Sequence, residues 1–164
     1  TMRNITRIFI HCTAGFGDID SIKRYWKHTL GWKSVGYHRI IDLKGDVHSL
    51  AEYNEVTNGV KRYNSRSIHI SYIGGVEKEN KRKAKDTRTS KQKLALICEI
   101  SNALEYLKEF QDISKIEILG HRDISPDKNL NGKVDSWERI KECPSFDAIP
   151  EYNGVVEELN SINW

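Results

Sequence analysis

Short apolar runs recur along the chain and predict β-strands. Arg7–Cys12 contains the continuous run Ile8-Phe9-Ile10, which favours a buried strand. Val35–Asp42 and Val47–Leu50 predict two more strands, and the glycine-containing segment between them predicts a hairpin. Ser67–Ile73 interleaves apolar and polar residues and predicts a fourth strand, and Lys115–Leu119 predicts a fifth.

Apolar residues at helical spacing predict helices between these strands. One helix starts after the N-cap candidate Asp18 and ends at Gly31, with Ile19, Ile22 and Trp26 on one face. A longer helix follows the capping box Thr89-Ser90-Lys91-Gln92 and carries Leu96, Ile100, Ala103, Leu107 and Phe110. A short helix is predicted around Val155–Leu159.

Strands that alternate with helices indicate an α/β fold, and the hairpin favours a mixed rather than a purely parallel sheet. No repeat, low-complexity segment or linker divides the chain, so residues 1–164 are interpreted as a single domain, and we expect a monomer.

The amino-acid composition further limits the class of protein to which the chain can belong. With 38% hydrophobic and 30% charged residues, the chain is typical of a globular protein, and no apolar stretch is long enough for a membrane span. The net charge of +3 does not by itself indicate nucleic-acid binding. Three irregularly spaced cysteines do not indicate a disulfide framework, and no signal-peptide segment is visible.

The segment Glu77–Arg88 concentrates basic residues, namely Lys81, Arg82, Lys83, Lys85 and Arg88. Such a run is usually a solvated loop. The alternative interpretation is a contact with an anionic polymer.

Candidate chemistry gathers in Gly120–Asp147. His121 follows the apolar run Ile116–Leu119, and Cys143 precedes a proline. No second cysteine is near enough for a closed structural zinc site, so partners must come from elsewhere, and His11 at the end of the first strand is the candidate. Two imidazoles and a thiolate would leave a fourth zinc position for water. The alternative is that each of the three is an ordinary core residue, which is the more common case for a single histidine or cysteine.

Five segments in order resemble one family: FIHCTAG at 9–15, GYHRII at 36–41, YNSRSIHISYIGG at 63–75, GHRD at 120–123 and KECPSFD at 141–147. Together they resemble the zinc-dependent N-acetylmuramoyl-L-alanine amidases of the phage lysozyme and peptidoglycan-recognition-protein superfamily. The resemblance implies a central mixed sheet flanked by helices, with a zinc cleft at one side.

The same resemblance implies site residues. His11, His121 and Cys143 would hold Zn²⁺. Tyr37 would hydrogen-bond the substrate carbonyl or the zinc-bound water, and Lys141 would stabilise the oxyanion. From the residues alone, the favoured interpretation is that Tyr37 is a half-buried sheet aromatic and Lys141 a surface amine. Cys12 should point away from the site, because successive side chains of a strand alternate.

Substrate contacts are less clearly indicated. Asn64 and Arg66 are candidates for contacts with the peptide stem or sugar. His69 occupies a position where many relatives have a small residue, and it could line the cleft or simply pack in the core. Asn58-Gly59 stands where some relatives carry a histidine.

The 21 residues between His121 and Cys143 contain a second pattern. Residues 127–138 fit the twelve-position EF-hand loop, and they predict a structural calcium site formed by Asp127, Asn129, Asn131, the carbonyl of Lys133, Asp135 and Glu138. The alternative is an Asn-Gly turn without an ion.

The resulting prediction is zinc-dependent hydrolysis of the amide between N-acetylmuramic acid and L-alanine in peptidoglycan, with peptidoglycan as partner. A non-catalytic peptidoglycan-binding module of the same fold is the alternative, and additional binding of an intracellular partner is a third possibility. Because no signal peptide is visible, we expect a cytoplasmic protein released by lysis, or an exported one if a leader has been removed.

Overall fold

A five-stranded sheet forms the centre of the molecule in the computed structural model, which describes residues 2–162. The strands are β1 (Arg7–Cys12), β2 (Arg39–Ile41), β3 (Val47–Ser49), β4 (Ser67–Tyr72) and β5 (Glu117–Gly120). Their spatial order is β3-β2-β4-β1-β5. β4 and β5 run parallel to the central β1, and β2 runs parallel to β4. β3 pairs antiparallel with β2, so the predicted hairpin and mixed sheet are confirmed.

Three α-helices surround the sheet. α1 (Ile19–Arg24) continues into a π-helical segment, Tyr25–Thr29, and α2 (Ser90–Lys108) is the longest helix. α3 (Ala148–Ser161) closes the described chain. No helix in residues 2–162 is both long and apolar enough to cross a membrane.

The predicted capping box fixes the start of α2. The Thr89 hydroxyl accepts a hydrogen bond from the Gln92 backbone N–H at 3.1 Å, and the Gln92 side chain accepts one from the Thr89 N–H at 3.0 Å. The buried Gln92 amide also donates to the carbonyls of Asp42 and Ile73, at 3.1 and 3.0 Å. The cap therefore attaches the helix to the sheet as well as starting it.

The two faces of the sheet have different roles. Alternate residues of β1 and β4 pack against the apolar faces of α2 and α3 and form the main core; they include Ile8, Ile10, Cys12, Ile68, Ile70 and Tyr72. The intervening residues, among them Phe9, His11 and His69, point to the opposite face. The segments that pack on that face are loops and short helical segments, and the candidate site lies among them.

Several element boundaries differ from the predictions, including those of β2, α2 and α3. The second strand is only Arg39–Ile41, and in the segment before it Gly36 lies over the Trp26 ring, where a Cβ would be 2.9 Å from two ring carbons. α2 ends at Lys108, which leaves Phe110 54% exposed instead of on the buried face. α3 begins at Ala148, since Pro150 is tolerated in a first helical turn, and it is longer than the predicted Val155–Leu159.

Candidate metal centre and cleft

His11 lies near the carboxyl end of β1, between β4 and β5. It is paired in register with Ser71 of β4, and its neighbour Ile10 is paired with Gly120 of β5. The ring is 1% exposed. Because the three strands are parallel, their carboxyl ends meet at one edge of the sheet, where α/β folds place their sites.

His121 reaches the same edge because β5 ends at Gly120 and the chain turns there into a 3₁₀ segment, His121–Ile124. Gly120 is required by packing, since a Cβ there would lie 2.5 Å from Pro144 Cδ. The Asp123 carboxylate accepts the Gly120 N–H at 2.7 Å and fixes this turn. The glycine thus lets the Cys143-Pro144 segment lie against the end of β5.

Several hydrogen bonds hold the Cys143 segment. Arg122 N–H donates to the Cys143 carbonyl at 2.8 Å, and the Tyr72 hydroxyl donates to the Pro144 carbonyl at 2.7 Å. The Ser145 hydroxyl donates to the Gly75 carbonyl at 2.7 Å. The Cys12 N–H donates to Cys143 Sγ at 3.2 Å, a contact suited to a thiolate. Three separate parts of the chain therefore fix the position of the sulfur.

His11, His121 and Cys143 converge. One potential ligand atom from each lies within 4.8 Å of the others, and no other His, Cys, Asp and Glu residues form such a group within residues 2–162. His11 Nδ1 is 3.7 Å from Cys143 Sγ. Tetrahedral zinc with ordinary bond lengths would separate a nitrogen and a sulfur ligand by about 3.6 Å. The donor set and spacing fit zinc with one open position.

The protonation states of His11, His121 and Cys143 are also compatible with metal binding. Burial, and then the neighbouring His69 and His121, lower the pKa of His11 well below its ordinary value. Burial and Lys141 lower the pKa of His121 to about 4. Both imidazoles are therefore neutral at pH 7. Burial raises the pKa of Cys143 well above its ordinary value, so its thiol would release a proton on coordination.

Tyr37 and Lys141 lie beside this group. The Tyr37 ring centroid is 4.8 Å from that of His11 and 5.4 Å from that of Trp26. Burial raises the Tyr37 pKa well above its ordinary value, so the hydroxyl stays protonated and able to donate. Lys141 is exposed, and it lines the cleft next to His121.

The cleft has two adjoining lobes that meet at His121 and Lys141. The larger, of about 640 Å³, reaches Tyr37, Cys143 and the basic residues Lys81 and Arg82. The smaller, of about 450 Å³, extends towards Asn64 and Ile140. Trp32 lines both lobes. An extended ligand could therefore pass directly over the candidate metal position.

The predicted substrate residues separate into three cases. Asn64 lines the smaller lobe. Arg66 is exposed and precedes β4, at the far end of the strand from His11; it lies five residues before Ser71, the register partner of His11, or about 17 Å along the strand at about 3.3 Å per residue. It does not line either lobe. His69 is 0% exposed and does not line either lobe, which matches the alternative that it packs in the core; its Nδ1 lies 2.9 Å from His11 Nε2.

The EF-hand-like loop is ordered by its own hydrogen bonds. The buried Glu138 carboxylate accepts the N–H groups of Lys128, Asn129 and Asp135. Asp127 accepts the N–H groups of Asn131 and Gly132, and Asp135 accepts the side-chain amides of Asn129 and Asn131. The carboxylates are thus occupied within the loop, and they do not converge on a shared position in the way the His11 group does.

Known proteins resemble this chain in both sequence and fold. A family model described as N-acetylmuramoyl-L-alanine amidase matches residues 1–144. The endolysin of Klebsiella phage KP32 is 30% identical over 146 residues, which cover 87% of this chain and 82% of the phage protein.

Solved structures share the fold. PGRP-SA of Apis mellifera has a TM-score of 0.65 at 17% identity, covering 91% of this chain and 81% of that one. The N-acetylmuramoyl-L-alanine amidase LysC of Clostridium intestinale has a TM-score of 0.61 at 19% identity, covering 96% and 87%. Sequence motifs, fold and site geometry lead to one conclusion: the protein belongs to the N-acetylmuramoyl-L-alanine amidase family, within the superfamily of phage lysozymes and peptidoglycan-recognition proteins.

Proposed function

We propose that the protein is a zinc-dependent amidase that cleaves the bond between N-acetylmuramic acid and L-alanine in peptidoglycan. The observation that carries the proposal is the convergence of His11, His121 and Cys143 at the junction of the two cleft lobes. Family membership supports the same activity. The endolysin relatives support peptidoglycan as the substrate.

The chemistry needs a nucleophile and a donor for the developing oxyanion. Zinc, when bound, supplies a water of lowered pKa and polarises the scissile carbonyl. The protonated Tyr37 hydroxyl donates a hydrogen bond to that carbonyl or to the water. The Lys141 ammonium approaches from the open side of the cleft and stabilises the negative charge that forms on the carbonyl oxygen.

The rest of the cleft suits a glycopeptide. Trp32 offers an aromatic face for a sugar or an alkyl side chain, and it lies where the two lobes join. Lys81 and Arg82 are exposed cations on the larger lobe, where they would meet the carboxylates of an anionic ligand. Asn64 presents its amide to the smaller lobe.

A non-catalytic recognition protein is the second candidate, because proteins named for peptidoglycan recognition share both sequence and fold with this chain. Recognition alone does not require a complete set of metal ligands beside a protonated tyrosine and a lysine. The presence of all five groups around one position favours the enzyme.

Product analysis on purified peptidoglycan separates the candidates. An amidase releases new alanine amino termini, which are quantified by dansylation and hydrolysis. A glycosidase would instead produce new reducing ends, and a recognition module would bind the polymer without producing either group. Absence of new alanine termini from zinc-loaded protein would contradict the proposal.

Calcium in the loop 127–138 is a separate proposal. Its support is the spacing of oxygen-bearing side chains and the position of the loop between two metal-ligand candidates. An ion would have to displace the hydrogen bonds that Asp127 and Asp135 now make within the loop. Its effect would be to stabilise the folded state and not to take part in hydrolysis.

We also propose that the protein acts as a monomer and reaches peptidoglycan when the cell lyses. The second part rests on the phage endolysins among its relatives.

A further inference from the structure

We propose that His69 and Asn64 form a hydrogen-bonded relay that fixes the tautomer and orientation of His11, so that His11 binds the metal through Nδ1. This inference rests on the zinc site proposed above. It gives His69 a positioning role in place of the predicted substrate contact, and it adds a positioning role for Asn64, which also lines the smaller lobe.

The relay begins at the buried side of His11. Its Nδ1 faces Cys143 Sγ at 3.7 Å, whereas its Nε2 points away from the cleft and lies 2.9 Å from His69 Nδ1. A neutral imidazole that coordinates through one nitrogen carries its proton on the other. His11 therefore donates from Nε2, and His69 accepts at Nδ1.

The hydrogen bonds of Asn64, at the far end of the relay, independently require that His69 accept from His11. His69 Nε2 lies 2.8 Å from Asn64 Oδ1, and this oxygen also accepts the Val60 backbone N–H at 2.8 Å. A backbone N–H can only donate, so the Asn64 atom facing it is the oxygen. An amide oxygen can only accept, so His69 carries its proton on Nε2 and leaves Nδ1 free to accept from His11.

Packing holds the relay in place. His69 is 0% exposed, and its ring stacks on Phe9 with centroids 5.5 Å apart and planes 14° apart. His38 stacks near His69 at 6.0 Å, and its Nδ1 accepts the His69 backbone N–H at 3.0 Å. Gly59 lies directly over the His69 ring, where a Cβ would be 2.3 Å from Nδ1. The ring has no room for another orientation.

Hydrogen bonds of this kind, from the remote nitrogen of a ligating histidine, orient the ring and raise its basicity. Losing one typically lowers metal affinity about 10- to 100-fold. Here the acceptor is a second neutral histidine, His69, which in turn donates to the side-chain amide oxygen of Asn64. The relay therefore contains no buried carboxylate. His11 thereby gains orientation with no added charge beneath the metal.

A matched pair of variants tests the relay. Asparagine and leucine side chains have the same number of heavy atoms and the same branching, but His69→Asn places a carbonyl oxygen close to the position of Nδ1, whereas His69→Leu removes every acceptor. Zinc affinity is measured by competition with a chromophoric chelator. We expect His69→Leu to weaken zinc binding about 10- to 100-fold and His69→Asn to retain affinity within a few-fold of wild type.

Asn64 provides a second test that does not open a core cavity. Asn64→Asp keeps an acceptor for His69 and Val60 and should keep zinc affinity, whereas Asn64→Leu should weaken it. In zinc-loaded protein with ¹⁵N-labelled histidine, NMR should show protons on Nε2 of His11 and His69. Phe9→Leu is the control: it loses the stacking contact but keeps the relay, so it should lower the melting temperature and leave zinc affinity nearly unchanged.

Two results would overturn the inference, and they differ from each other. Equal zinc affinity in folded His69→Leu, His69→Asn and wild-type protein would remove the relay but leave the proposed zinc site intact. Wild-type protein that takes up no zinc would remove the site and the relay together.

Discussion

Alternation along a strand decides which side chains of β1 reach the site. It predicts that His11 and Cys12 point to opposite faces, and the structure agrees: His11 faces the cleft side and Cys12 belongs to the main core. Alternation cannot predict that the Cys12 backbone N–H donates to Cys143 Sγ. That contact depends on how a distant segment closes over the strand end.

The sequence does not show how deeply the His69 side chain is buried. Alternation along β4 correctly places this residue on the face of His11, and from that face a cleft position was a reasonable expectation. The loop that carries Gly59 and Asn64 covers the ring completely. No local pattern indicates that a loop from another part of the chain will lie over a particular strand residue.

Tyr37 and Lys141 should affect turnover without affecting the metal, because neither belongs to the converging group. We expect Tyr37→Phe and Lys141→Ala to retain zinc and to lower kcat about 10²-fold or more, the usual effect of losing one oxyanion donor. Steady-state kinetics on a soluble muropeptide, with zinc content measured on the same samples, checks this. Turnover near the wild-type value in both variants would assign them structural roles only.

At the scale of elements, Arg88 attaches the start of α2 to α3. Its guanidinium is buried and hydrogen-bonds to Asp86 at 2.9 Å, to Glu151 at 2.9 Å and to the Tyr152 hydroxyl at 3.1 Å, and it lies 3.3 Å over the Phe146 ring. The sequence placed Arg88 in a basic run interpreted as solvated. Only the folded arrangement shows that this arginine differs from its neighbours.

Arg88→Met should therefore destabilise the protein, by about 1.5–3 kcal/mol at pH 7, the range for hydrogen bonds to charged groups. Hydrogen bonds from Arg88 lower the pKa of Glu151. Burial raises the pKa of Asp86, but the hydrogen bonds and positive charge of Arg88, with the charge of Lys93, lower it overall. A lowered carboxylate pKa contributes stability above the unfolded-state pKa, near 4, and that contribution is lost as the pH falls through the folded-state pKa.

The stability difference between wild type and Arg88→Met should accordingly be largest near neutral pH and shrink below about pH 4. Urea unfolding monitored by circular dichroism at several pH values measures it. Arg88→Lys keeps the charge but not the paired hydrogen-bond geometry, so its stability should lie between those of wild type and Arg88→Met. A difference that stays constant down to pH 3 would contradict this account of the contact.

The loop 127–138 offers a second element-scale test. Glu138→Gln loses one acceptor oxygen for the loop N–H groups and one carboxylate ligand for calcium. If the loop binds calcium, the ion should raise the wild-type melting temperature, and the variant should lose that rise while keeping its zinc. The calcium proposal fails if neither calcium nor a calcium-selective chelator moves the wild-type melting curve and titration calorimetry shows no heat.

At the scale of the whole molecule, the fold was predictable because its patterns are local. Continuous apolar runs such as Ile8-Phe9-Ile10 identify strands, and the capping box at Thr89 identifies the start of α2. The convergence of His11, His121 and Cys143 is different, since they are far apart in sequence and the resemblance to a family supplied the grouping. The two-lobed cleft required the structure, because its walls come from loops at residues 13–14, 58–64, 75–84 and 140–145.

Charge at the rim of the cleft should influence binding more than catalysis. We expect Lys81→Glu combined with Arg82→Glu to raise KM several-fold at low ionic strength and to leave kcat nearly unchanged. The effect should diminish in high salt, because exposed charges are screened over about 8 Å at 0.15 M. Lys78→Glu combined with Lys85→Glu is the control, since it makes the same charge change in the same loop without altering a residue that lines the larger lobe. Equal KM increases in both double variants would indicate a general charge effect instead of a contact in the cleft.

The central claim is that one zinc ion at His11, His121 and Cys143 enables amide hydrolysis. Its most direct test compares wild type with Cys143→Ala, measuring bound zinc by mass spectrometry and the alanine amino termini released from purified peptidoglycan on the same samples. We predict about one zinc per wild-type chain with release of new termini, and loss of both in a variant that remains folded by circular dichroism. A folded Cys143→Ala protein that keeps the wild-type zinc content, or that releases alanine termini at the wild-type rate, would contradict the account.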